Sequence, residues 1–192
     1  MQITVNEANM KVELSKVKPG QVIKSAIGIE YIVLEHLDDG STRVIRKDLL
    51  AERMKFDEDS NNFSTSSLNE YLNDKFYGEE VVPGFGDDNV VIHNVNQLSS
   101  DGLDDYESCN VKVGLLTIDD YRKYRKNCLK ENMDSWWWLS TPDSTPTGCG
   151  GDYVQCVIGG GCVDCGDCGR ERGVRPDFVL KSSICVESMA ED

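Results

Sequence analysis

No apolar run in this chain approaches the roughly 20 consecutive residues that a membrane-spanning helix needs, so no membrane insertion is expected. The first residues, MQITVNEANMKVELSKV, lack the basic segment, apolar stretch and small-residue cleavage site of an export signal. That predicts synthesis in the cytoplasm without a signal peptide. Positive charge is also scarce. Twenty Lys and Arg stand against 34 Asp and Glu, a formal net charge of −14, and no Lys/Arg stripe interrupts the acid. A phosphate backbone would be repelled, so nucleic acid is not an expected partner, and the acidity reads as a solvated surface. Histidine is scarcer still. His36 and His93 are the only two, and both sit in strand-like apolar contexts, where a partly buried imidazole is expected rather than a general base.

Cysteine, by contrast, is plentiful, with eight residues. In a short secreted chain this would indicate a disulfide scaffold. Here 192 residues can bury a core and the export signal is missing, so reduced thiols are expected. Cys109, Cys128 and Cys185 have apolar neighbours and read as structural. The other five crowd between Cys149 and Cys168, and GGGCVDCGDCGRERGVRP (159–176) spaces Cys162, Cys165 and Cys168 three apart. With Cys149 or Cys156 as a fourth ligand, these could surround zinc tetrahedrally. The iron–sulfur pattern lacks its last ligand, because Gly169, Arg170, Glu171 and Arg172 follow Cys168, and no second paired knuckle is present. A zinc module therefore stands as an alternative, and no cofactor or metal is expected.

The remaining pattern is that of one α+β domain with short strands. Ile29–Glu35 and Thr42–Ile45 are β-rich runs joined through Asp38-Asp39-Gly40-Ser41, a hairpin signal. Residues 56–66 are polar and turn-forming. A helix is predicted over about 68–76, with Ser67 and Glu70 spaced as a capping box and Leu68, Tyr71, Leu72 and Phe76 on one face. Strands are predicted at Asn89–Val95 and Val111–Leu116, separated by the acidic loop QLSSDGLDDYES. Thr117 and Asp120 mark the start of a second helix, IDDYRKYRKN, with Ile118, Tyr121 and Tyr124 on its buried face. SWWWLS then reads as an aromatic strand with Trp136 and Trp138 on one side and Trp137 on the other. Residues 148–173 are rich in glycine and poor in helix formers.

Trp137-Trp138-Leu139, Pro142, Asp152-Tyr153-Val154, Gly161-Cys162-Val163 and Gly173-Val174-Arg175-Pro176 follow one another in a recognisable order. Together with Glu30-Tyr31-Ile32-Val33-Leu34, Lys47-Asp48-Leu49-Leu50 and SLNEYLNDKFY, they resemble a bacterial and phage family with a C-type-lectin-like, formylglycine-generating-enzyme-like fold. Many members are variable proteins of diversity-generating retroelements. The resemblance covers roughly residues 20–181, leaving 1–19 as an N-terminal extension and 182–192 as a C-terminal tail. It implies short twisted strands, two helices and a glycine-rich C-terminal variable segment. It also implies an invariant scaffold that displays a mutable surface, on a virion or cell, to capture a protein or surface ligand whose identity the residues do not reveal. Ser140 stands where the family usually has Arg. Calcium-dependent sugar capture finds none of its Glu-Pro-Asn, Gln-Pro-Asp or Trp-Asn-Asp triplets.

On this reading Trp137, Trp138, Gly173, Val174, Arg175 and Pro176 are structural. The indoles anchor the sheet, Gly173 serves a turn of unusual φ, Val174 is buried, Arg175 locks onto an acid or carbonyl, and Pro176 fixes the exit. Adenine-directed mutation of AAY codons yields NNY codons, which never encode Lys, Glu, Gln, Met or Trp. Residues 148–172 contain no Lys, Met or Trp, and they retain Gln155 and Glu171, which are then framework positions. With Val154 and Val163 inward and their neighbours outward, the expected ligand-binding set is Tyr153, Cys156, Cys162, Asp164, Cys165, Asp167, Cys168 and Arg170. Catalysis is not expected, although a thiol enzyme akin to the oxidases of the wider fold is kept beside the zinc module as an alternative.

Overall fold

The computed structural model describes residues 11–129 and 133–189 and shows a mixed α+β protein, mostly strands in curled sheets. Its centre is the expected hairpin. β3 (Glu30–His36) and β4 (Ser41–Arg46) pair antiparallel. The turn closes through Leu37 and Gly40, whose φ of +81° suits glycine, and the Asp39 carboxylate accepts the Ser41 amide. Successive residues of β3 enter different cores. Tyr31 and Val33 face the larger cluster, Ile32 and Leu34 a second one, which is why this strand reads as a continuous apolar run.

An eight-stranded sheet is built outward from the hairpin. On one side β2 (Val22–Lys24) pairs with β3, then β13 (Cys185–Ser188) with β2, and β1 (Lys11–Glu13) with β13. On the other side β12 (Asp177–Lys181) pairs with β4 and also meets two short strands, β5 (Val90–Val91) and β8 (Val113–Gly114). The segments expected to be an extension and a tail thus contribute paired strands within 11–19 and 182–189. Sequence patterning missed this because three- and four-residue strands show too little alternation. Residues 1–10 and 190–192 lie outside the described range.

Several predicted boundaries shift. Ser66, not Ser67, caps the first helix by accepting the Asn69 amide. That helix, α1 (Ser67–Tyr71), runs past residue 76 with wider π-type turns over Leu72–Val81, then closes as α2 (Val82–Phe85). Pro83 is tolerated in the first turn of α2, and Gly86 at φ +86° ends it. The strand expected over 89–95 is split at exposed Ile92. β5 stays in the main sheet, while β6 (His93–Val95) pairs with β7 (Cys109–Val111). The strand expected to reach Leu116 ends at Gly114. Helix α3 (Ile118–Tyr124) has the predicted Thr117/Asp120 capping box but stops before Asn127. No helix among the described residues is long and apolar enough to cross a membrane.

A buried ionic group joins these layers. Arg43 on β4 reaches Asp177 on β12 (2.6 Å) and Asp120 on α3 (2.9 Å). His93 lies beside them, its Nε2 4.0 Å from Asp177 Oδ2. Among the described residues, neither ring nitrogen, nor Asp177 Oδ1, has a hydrogen-bond partner. Burial lowers the imidazole pKa below the ordinary histidine value; Asp177 opposes this and Arg43 adds to it. The unfolded chain therefore takes up a proton near pH 6.5, whereas the folded chain does so only at lower pH. The resulting loss of stability begins as pH falls below about 6.5. Substituting His93→Phe should shrink the difference between urea midpoints measured at pH 7 and pH 5; an unchanged difference would show that the folded imidazole titrates normally.

Candidate functional site

The segment singled out from sequence forms its own antiparallel sheet, β11 (Val163–Asp167), β10 (Tyr153–Val157) and β9 (Trp137–Pro142), in that order. Both indoles of β9 are buried, on opposite faces, as alternation requires. Trp138 enters the larger core, edge-on to Phe56 at 5.8 Å, and its Nε1 donates to the Met54 carbonyl at 2.9 Å. Trp137 enters the second core, edge-on to Tyr121 at 5.7 Å. Trp136 is half-buried on the Trp138 side, with the Arg172 guanidinium 4.9 Å over its ring. Ser140, where the resembled family carries Arg, is buried and donates its hydroxyl to the Leu115 carbonyl (3.0 Å).

Gly173-Val174-Arg175-Pro176 crosses from this sheet to the main one. Gly173 exchanges backbone bonds with Trp136 and Trp138, Val174 accepts the Leu50 amide, and Pro176 accepts the Arg46 amide. Arg175 is almost fully buried. Its Nε donates to the Arg46 carbonyl (2.9 Å), its Nη2 to the Lys47 carbonyl (2.7 Å), and its guanidinium lies 5.6 Å from the Trp137 ring centre. The expected acid-or-carbonyl lock thus includes two backbone carbonyls. The φ of Gly173 is not positive, contrary to expectation; the constraint is close approach. A Cβ there would sit 2.6 Å from Leu49 Cδ1 and 3.0 Å from the Trp136 carbonyl oxygen.

The β10–β11 register assigns each side chain to a face. Tyr153↔Asp167, Gln155↔Cys165 and Val157↔Val163 share one face; Val154↔Gly166 and Cys156↔Asp164 share the other. Val154 and Val163 therefore point to opposite faces rather than both inward, and each packs against a different core. Two further expectations fail for the same reason. Cys156 and Cys168 are buried in the larger core, where a thiol behaves as a small apolar group. Tyr153, Cys162, Asp164, Asp167 and Arg170 are exposed and Cys165 is half-exposed. Gln155 is buried and donates to Asp143 (2.6 Å), whereas Glu171 is exposed. The hairpin turn holds Gly160 and Gly161 at positive φ, and the Tyr121 hydroxyl donates to the Gly161 carbonyl (2.8 Å), tying the turn to α3.

Cys162, Cys165 and Cys168 do not converge. Cys162 precedes β11, Cys165 shares the Tyr153 face, and Cys168 lies past the strand end in the core. Among the described residues no group of three or more His, Cys, Asp or Glu could hold a metal ion. Burial pushes the Cys156 thiol up to about 12 and that of Cys168 up to about 11. Cys109 is half-buried and Cys128 buried, whereas Cys185, expected to be structural, is exposed near a sheet edge.

Sequence reasoning missed Asn61, which sits in a polar stretch that reads only as loop. It is fully buried. Its Nδ2 donates to the Ser144 and Tyr153 carbonyls, both at 2.8 Å, and its Oδ1 accepts the Tyr106 hydroxyl at 2.8 Å. Asn61 thus pins the start of β10 to the acidic loop. No spacing rule marks such a residue. Comparisons of the chain with protein-family models, curated proteins and solved structures return no match.

Truncating either buried indole, Trp137→Ala or Trp138→Ala, should cost about 3–5 kcal/mol in chemical denaturation. Arg175→Ala should cost about 3 kcal/mol, because it removes a buried guanidinium and leaves two part-buried carbonyls without it; variants that unfold like the parent would contradict this framework. Brief alkylation of the native protein, mapped by mass spectrometry, should mark Cys149, Cys162 and Cys185 first. Cys128, Cys156 and Cys168 should react only after unfolding.

Proposed function

We propose that this chain is a ligand-binding protein of C-type-lectin-like fold, akin to the variable proteins of diversity-generating retroelements. It presents a diversified surface on β10 and β11 and captures a protein or other surface ligand while displayed on a virion or cell. The observation that carries this reading is a division within one hairpin. Tyr153, Cys162, Asp164, Cys165, Asp167 and Arg170 reach solvent, whereas Val154, Cys156, Val157 and Cys168 are locked into two cores beside the buried indoles. The exposed positions can change without disturbing the packing that holds them, which is what a rewritable surface requires. Cys156 and Cys168 accordingly move from the binding set to the scaffold. Tyr153, half in solvent, supplies an aromatic contact of the kind that dominates binding surfaces. The raised Cys156 and Cys168 thiols suit a packing role at those two positions, since a nucleophilic cysteine needs its pKa lowered.

Flanking DNA should hold a near-copy of the 148–178 coding region that differs only at adenines, beside a reverse transcriptase gene; the absence of any such template would remove the retroelement assignment. Protein chemistry offers a second check. Replacing Tyr153, Asp164, Asp167 and Arg170 together by Ala should lower stability by no more than about 2 kcal/mol in total, because exposed changes cost up to about 0.5 kcal/mol each. Loss of folding would place these residues in the scaffold.

A further inference from the structure

A cavity of about 350 Å³ lies between the loop that leaves β4 and the helical turns after α1, and none of its lining residues belongs to β9, β10 or β11. Its volume is at the small end of the range typical of small-molecule sites, roughly 300–1,000 Å³. One wall is the loop, where Leu50 and Met54 pack on the edge of the larger core and Glu52 is exposed. The other wall is half-buried Tyr71, followed by Lys75, Phe76 and Glu79 in the π-type turns, a widened backbone that recurs at functional sites. Both walls stand over one face of the central hairpin. Tyr31 and Arg46 are cross-strand partners and share that face, and the Glu80 carboxylate accepts from both, which fixes the π-type turns above it. Charge within the cavity is unbalanced. Glu52, Glu79 and Glu80 stand against Arg46 and Lys75, three negative charges against two positive. Glu80 is engaged by Arg46 and Tyr31, whereas neither Glu52 nor Glu79 forms an ion pair among the described residues. Burial first, then Glu52, Glu79 and Glu80, raise the Tyr71 phenol above its ordinary pKa while Arg46 opposes them, so all three carboxylates lie within Coulombic reach of the hydroxyl. The Lys75 ammonium is 6.0 Å from the Tyr71 ring centre, at the outer limit of cation–π contact.

We propose that this cavity binds a small organic monocation, with its ammonium among Glu52, Glu79 and the Tyr71 hydroxyl, and its apolar stem along Leu50 and Met54. The single excess negative charge matches one ammonium, and the phenol oxygen can accept one of its N–H groups. The −14 charge of the whole chain adds a long-range attraction for cations. Lys75, of like charge with the ligand, opposes its entry. The site is independent of the binding surface on β10 and β11, and either can fail without the other.

Amide-resolved NMR titration of the full chain, with hexylammonium as probe and hexanol and methylammonium as controls, tests the proposal. Hexylammonium should shift the amides of Ala51, Glu52, Tyr71, Lys75 and Glu79 in a saturable way. Hexanol, which lacks the charge, and methylammonium, which lacks the stem, should each bind at least about fivefold more weakly. A Glu52→Gln/Glu79→Gln double variant, altered at exposed positions only, should lose at least about fivefold for hexylammonium, whereas Lys75→Gln should gain about twofold. A merely structural role for these side chains would not give effects of opposite sign. Equal responses to hexylammonium and either control, an unaffected double variant, no gain in Lys75→Gln, shifts confined to other regions, or no saturable shift would each overturn it.

Discussion

The Arg175 guanidinium donates to two successive backbone carbonyls, those of Arg46 and Lys47, from a position almost closed to water and against the Trp137 ring. A buried cation is costly unless charge or dipoles surround it, and the backbone leaving β4 contributes two carbonyl dipoles. The bond also sets where two sheets meet. Arg175 lies between Gly173, which is hydrogen-bonded into β9, and Asp177, which opens β12 beside β4. A displaced Arg175 would pull the β9–β11 sheet away from the hairpin that centres the molecule. The neighbouring Asp177, Arg43 and Asp120 extend the same seam to α3. The buried Arg43 holds carboxylates from two different elements at once, which ties β12 and α3 to β4 at fixed distances.

What could be read from sequence was local. The hairpin through Gly40, the Thr117/Asp120 capping box, the alternation of the tryptophans and the mixed α+β class all depend on residues within a few positions of one another, and the structure contains each of them. The misreadings share a different origin. Whether Cys156 faces water depends on what lies over its face of β10, and Trp138, Phe56 and Val174 in that core come from distant parts of the chain. A sheet buried on both sides makes alternation ambiguous, because neither parity marks the surface. Asn61 and the pairing of β1 with β13 were likewise beyond reach, since their partners lie many residues away. Of the eight residues expected to face outward, Cys156 and Cys168 do not, because their thiols fill core space.

The glycine-rich composition of 148–173 therefore has two meanings. Some glycines answer backbone geometry, as Gly160 and Gly161 do in the turn beneath Tyr121. Gly173 answers crowding, with Leu49 and the Trp136 carbonyl occupying the place of a side chain. The cysteines divide in a comparable way between surface and interior, and their three-residue spacing crosses that division instead of gathering the thiols at one point.

The pairing of β1 with β13 also bears on how the molecule carries a mechanical load. Lys11 lies opposite Glu187 and Glu13 opposite Cys185, so the chain enters β1 and leaves β13 at the same end of the pair. Tension drawn between the two ends would part the rungs one at a time, as in a zipper, rather than strain them together as sliding strands would. The next rung is Glu187 against Lys24, so tearing would pass from β1 into the edge of the central sheet. A pull on both ends would open this margin first.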